Sequence, residues 1–89
     1  AFNISIIITT YNAENFILQA ISSVLDQTYQ SYEVIIVDDG SKDNTAQLVS
    51  QYISDHNLKN FRLFPLDHIG RAPALIYAVN EAKYDWIAI

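Results

Sequence analysis

The side chains of this 89-residue chain that could do chemistry fall in three short clusters. Asp38 and Asp39 are adjacent at the end of an apolar run and are followed by Gly40, Ser41 and Thr45. Neighbouring residues of an extended chain point to opposite faces. One carboxylate is therefore available to a ligand N–H or hydroxyl, while the other turns inward to hold the loop or cap the next helix. Plain turn chemistry is the alternative, because Asp-Asp-Gly-Ser is good loop sequence. Thr9, Thr10, Tyr11 and Asn12 form the second cluster. A tyrosine there can stack on a planar base, or it can simply cover the core while Asn12 caps a helix. His68 and Arg71 form the third. An arginine that opens a helix sits badly against the helix dipole, unless a phosphate binds the same helix end and both the amides and the guanidinium act on it. The bland alternative is an exposed arginine paired with Asp67. Together the clusters suit recognition of a nucleotide. There is no Gly-rich phosphate loop, no G-x-G-x-x-G and no His/Asp/Glu set at metal-ligand spacing.

These residues need elements to hold them. The run 34–37 is β-branched throughout, without polar alternation, as in a strand covered on both faces in a parallel sheet. Polar residues placed where such a strand stops lie at the carboxyl edge of the sheet, where open α/β folds bind ligands. Strands are expected over 4–9, 33–38, 60–66 and 85–89. A first helix is expected from an Asn12 cap to about residue 26, with Ile17, Ile21, Val24 and Leu25 inward. A second is capped by Ser41 or Asp43, buries Ala46, Val49, Tyr52 and Ile53, and stops at Asn57. The third covers 70–82 with Leu75, Ala78, Val79 and Ala82 inward, and Pro73 is tolerable only in its first turn. Phe61, Leu63 and Pro65 mark one face of the third strand, with Pro65 at its end or on an edge. Tyr52, Phe61 and Trp86 read as core, and Lys42 and His56 as surface. Strand–helix alternation implies right-handed crossovers and an α/β three-layer sandwich with a mostly parallel sheet, strand order 3-2-1-4. Its topological switch point lies between strands 1 and 4.

Composition narrows the classes. Hydrophobic residues make up 51% of the chain, enough for a core. Ten acidic against five basic residues leave a net charge of −5, which disfavours general nucleic-acid binding. Cysteine is absent, so there is neither disulfide nor thiolate metal site. No apolar stretch approaches the roughly 20 residues that span a bilayer. The opening AFNISIII reads as a strand and not as a signal peptide. The closing Trp-Ile-Ala-Ile reads as a buried strand, so the expectation is one unit, 1–89, that is the amino-terminal part of a larger protein.

The motifs ISIIITTYN (4–12), ISSVLDQTY (21–29), EVIIVDDGSKDNT (33–45) and the segment 68–89 resemble the family 2 glycosyltransferases, enzymes of the GT-A fold that use nucleotide sugars. The likeness covers essentially the whole chain. It departs at Thr9, where proline is common, and at Ile76 and Ala78, where asparagine and glycine are usual. The resemblance implies a Rossmann-like donor subdomain that ends before the family's D-x-D motif. Thr9, Tyr11 and Asp39 would then bind the base, usually uracil, with Asn12 and Asp38 beside them and Arg71 approaching the diphosphate. It also implies a divalent metal, Mn2+ or Mg2+, held by residues beyond these, and transfer of a sugar to the hydroxyl of a saccharide or lipid-linked acceptor. The setting would be cytoplasmic, at the inner face of a membrane if the acceptor is lipid-linked. A receiver-like signalling domain and the nucleotide-binding half of a nucleotidyltransferase are the competing classes. The first would need its aspartate pair after strand 1, and the second a Gly-rich basic loop there.

Overall fold

The computed structural model describes residues 3–27, 32–84 and 86–88. The side chain of Trp86, expected in the core, and the expected strand ends Asp85 and Ile89 lie outside the described residues. Strands and helices alternate: β1 (Ile4–Thr10), α1 (Ile17–Gln27), β2 (Tyr32–Asp39), α2 (Thr45–Asp55), β3 (Phe61–Leu66), α3 (Arg71–Glu81) and β4 (Trp86–Ala88). The sheet is parallel with order β3-β2-β1-β4. Thr10 pairs with Asp38, and Asp39 with Leu66, so the first three strands end level on one rim.

The run 34–37 is fully buried because β2 has a strand on each side and helices over both faces. Its period of two divides the core. Val34 and Ile36 pack with Ile17, Ile21, Val49 and Phe61 beneath α1 and α2. Ile35 and Val37 pack with Ile7, Ala74 and Ala78 beneath α3. Each such aliphatic side chain contributes about 1.5–3 kcal/mol by leaving water. Ala74 and Ala78, one turn apart, let α3 lie close on the sheet.

Several local expectations shift. Helix α1 starts at Ile17, not at an Asn12 cap, because Asn12 takes a left-handed φ of 50° and bonds to another loop. The chain makes a turn first, with Phe16 N and Ile17 N both donating to Ala13 O. Neither Ser41 nor Asp43 is the N-cap residue of α2, which is Asn44 without a side-chain cap bond; Asp43, one residue earlier, accepts from Thr45 N at 3.0 Å, and Ser41 is engaged elsewhere. Helix α2 ends at Asp55, and Asn57 takes the left-handed φ of 53° that suits a helix stop. Pro73 is the third residue of α3, within its first turn. Val79 is 39% exposed, not inward. It lies about 100° beyond Ala78 around the helix, and Tyr77 joins Leu75 and Ala82 against the core instead. On β3, Phe61 and Leu63 face the α1–α2 core, and Pro65 is exposed on what is an edge strand, both as expected.

The opposite rim is closed by Glu33. Its carboxylate accepts from Ser5 Oγ at 2.6 Å, Lys83 N at 2.7 Å and the Arg62 guanidinium at 3.0 Å. Arg62 also donates to Glu81 O at 2.7 Å. One carboxylate thereby joins β1, β2, β3 and the link from α3 to β4. Burial pushes its pKa up, but the Ser5, Lys83 and Arg62 hydrogen bonds and the guanidinium charge outweigh that and hold it below the usual range.

Candidate functional site

The rim is assembled loop by loop. The β1–α1 and β2–α2 loops are stitched together by backbone amides that donate to side chains across the gap. Asn12 N donates to Ser41 Oγ at 2.8 Å, and Ala13 N to Thr45 Oγ1 at 2.8 Å. Lys42 N donates to Asn12 Oδ1 at 2.8 Å, and Glu14 N to Asp43 Oδ2 at 3.2 Å. Asp38 faces the α1–α2 side and accepts from both the amide and the hydroxyl of Ser41. Asp43 sits below the usual carboxylate range: slight burial raises its pKa, and bonds from Thr45 and the Glu14 amide more than reverse that. Asn12 and Asp38 thus hold the loops; neither lines the cleft described next.

Asp39 faces the other way, toward α3. Its Oδ1 accepts from Ile69 N at 2.7 Å and its Oδ2 from Gly70 N at 3.1 Å. This ties the β3–α3 link to the end of β2. The approach is close at Gly40, which has φ +72°; a Cβ there would stand 2.6 Å from the His68 amide nitrogen. His68 lies over Asp39, with its ring centroid 4.7 Å from that of Tyr11.

These loops enclose a cleft of about 260 Å³ lined by Thr9, Thr10, Tyr11, Asp39, Arg71 and Ala74. That is slightly under the roughly 300 Å³ at which small-molecule pockets begin, room for a base and not for a whole nucleotide sugar. Tyr11 is 41% exposed, so its ring is available. Arg71 is exposed as the first residue of α3, and among the described residues it makes no ion pair with Asp67. Of the six residues singled out in the sequence, Thr9, Tyr11, Asp39 and Arg71 meet at the cleft. Thr10 and Ala74 were not anticipated there. Thr10 carried the same signal as Thr9, its place at the strand end, whereas Ala74 is chemically silent. The amides of Ile69 and Gly70 could not have been found from side-chain type.

The profile described as Glycosyl transferase family 2 matches residues 5–89. The chain belongs to that family. An uncharacterised glycosyltransferase of Rickettsia typhi is 49% identical over 88 residues, 96% of this chain and 26% of the relative. The poly-β-1,6-N-acetyl-D-glucosamine synthase of Staphylococcus epidermidis is 33% identical over 85 residues, 94% of this chain and 20% of the synthase. Among solved structures, Staphylococcus aureus TarS 1-349 superposes with a TM-score of 0.83 at 29% identity, over 97% of this chain and 26% of that one; the same fragment is also known in complex with UDP. The mannosyltransferase PcManGT of Pyrobaculum calidifontis, in complex with GDP-Man and Mn2+, gives a TM-score of 0.89 at 26% identity over 96% of this chain and 26% of that one. The family 2 chain therefore has the sheet of the GT-A enzymes and spans about a fifth to a quarter of these proteins.

No three His, Asp or Glu side chains of this family 2 chain converge on a point that could hold a metal ion, among the described residues. Both carboxylates of the aspartate pair are already engaged by Ser41, Ile69 and Gly70. The divalent metal that the resemblance implies does not fit the residues described. No described helix is long and apolar enough to cross a membrane.

Proposed function

We propose that this chain is the donor-nucleotide part of a glycosyltransferase that moves a sugar from a UDP-sugar to the hydroxyl of a saccharide or lipid-linked acceptor. The observation that carries the reading is the meeting of Tyr11, Asp39 and Arg71, from three loops, at one cleft of base size. Tyr11 offers its ring to the base. Asp39 accepts from the base N–H, and an acceptor there selects uracil over a base edge that lacks the donor. Thr9 presents its hydroxyl and backbone from the strand end. Arg71 and the first turn of α3 draw the diphosphate, whose charge relieves the unfavourable meeting of guanidinium and helix dipole. Asn12 and Asp38 act at one remove by ordering the loops. The divalent metal and the general base belong to residues beyond those described, in a cytoplasmic protein that works at the inner face of a membrane when its acceptor is lipid-linked.

Calorimetry with UDP tests this. Arg71→Ala removes an exposed side chain and should leave the unfolding midpoint in place. It should weaken UDP about tenfold, the worth of one charge-assisted hydrogen bond. Equal affinity of the variant and the wild type would remove Arg71 from the site. Equal affinity of the wild type for UDP and CDP, whose base carries an acceptor at N3 in place of the N–H, would remove uracil selection.

A further inference from the structure

We propose that His68 is a positioning residue for the donor nucleotide, and that its protonation tightens donor binding. The proposal rests on the donor-nucleotide reading above. His68 lies in the link between β3 and α3, outside the cleft lining, yet it touches two of the cleft's residues. Its Nδ1 is 3.1 Å from the Asp39 carbonyl oxygen and 3.1 Å from Asp39 Oδ2. Two acceptors at that nitrogen fix the neutral ring with its proton on Nδ1. Nε2 is left to take up a second proton, on a side chain that is 60% exposed. Its centroid stands 4.7 Å from that of Tyr11, tilted by 37°. Since Tyr11 lines the cleft and His68 does not, the imidazole backs the phenol and leaves the cleft side of that ring open.

The same contact assigns the carboxylate oxygens. A carboxylate offers about four lone-pair sites. Gly70 N and His68 Nδ1 take those of Asp39 Oδ2, and Ile69 N takes one on Oδ1. The site that remains is on Oδ1, so a base N–H is directed there. His68 thus sets both the plane on which a base stacks and the oxygen to which it donates.

The groups in contact with His68 are Asp39 from β2 and the Tyr11 phenol just after β1; Asp67 precedes it in the chain, and Arg71 opens α3 three residues on. Histidine is the side-chain type whose ordinary range lies near neutral pH. The charged ring adds a cation to the rim that carries Arg71, and a nucleoside diphosphate is an anion. The charged form therefore binds it more tightly. By linkage, bound ligand raises the proton affinity of His68, and affinity rises as pH falls through its titration. For an exposed charge several ångströms away the gain is about threefold.

The test measures affinity for UDP-glucose, whose doubly esterified diphosphate does not titrate in this range, between about pH 8 and pH 5.5. The wild type should tighten about threefold across that range, and its His68 imidazole, followed by NMR, should titrate about 0.5 pH unit higher when the ligand is bound. His68→Phe keeps a ring against Tyr11 but has neither the hydrogen bond to Asp39 nor a proton to take up, so it should bind less tightly than the wild type at pH 8 and show no pH slope. His68→Asn should be flat and weaker throughout. His56→Asn, at the chain's other histidine, should keep the wild-type slope. A wild-type slope in His68→Phe, or a wild-type imidazole midpoint that ignores the ligand, overturns the proposal and leaves the donor reading intact. If UDP-glucose binds at no pH, the donor reading fails and the proposal fails with it.

Discussion

At the scale of single residues, the rim depends on a glycine as much as on its polar groups. Gly40 stands at φ +72°, with the His68 amide where a Cβ would go. Gly40→Ala adds both left-handed strain and a backbone clash, and should cost about 1–3 kcal/mol. Chemical denaturation checks this, and an unchanged midpoint would mean that the β3–α3 link does not press on β2. The opposite orientations of Asp38 and Asp39 were legible in the sequence, because extended chain alternates regardless of context. The role of Asn12 was not. Asparagine before a helical pattern is a good local cap, but its partner here is the amide of Lys42, 30 residues on. Asp39 shows the same limit. Its place beside a ligand cleft could be read from the strand end, while its hold on the amides of Ile69 and Gly70 depends on β3 and α3 being brought alongside.

Among the elements, β2 was the most legible, because four β-branched residues in a row leave no polar face and require cover on both sides. The inward face of α3 was read less well, since Ala74 and Ala78 bury little surface and give a weak apolar stripe, against which Val79 looked the better candidate. The link from α3 to β4 depends on Glu33. Its folded-state pKa is depressed, so its stabilising contribution is complete above the unfolded value of about 4.3 and is lost as pH falls through the lower folded value. In that window the unfolded chain binds more protons than the folded one, and stability rises with pH. Glu33→Gln should be less stable than the wild type at neutral pH, with the gap narrowing below about pH 4 as the wild type loses its carboxylate. Thermal melts at both pH values measure it; a constant gap would mean that the ionised carboxylate is not what stabilises this rim.

For the molecule as a whole, topology does what no single motif does. Parallel strands of matched register bring residues 9–12, 38–45 and 67–71 to one edge, and amide-to-side-chain bonds between loops then hold that edge in shape. The order β3-β2-β1-β4 and the meeting of Thr9, Tyr11, Asp39 and Arg71 could be anticipated because each follows from strand ends. The fine wall of the cleft could not, because it is built of backbone amides. The most direct test is an amide NMR titration of the chain with UDP. Shifts should concentrate on Thr9, Thr10, Tyr11, Asp39, Ile69, Gly70 and Arg71. Shifts centred instead on the groove between α2 and β3, at Gln47, Ser50, Gln51 and Leu63, or no shifts at all, would contradict the account.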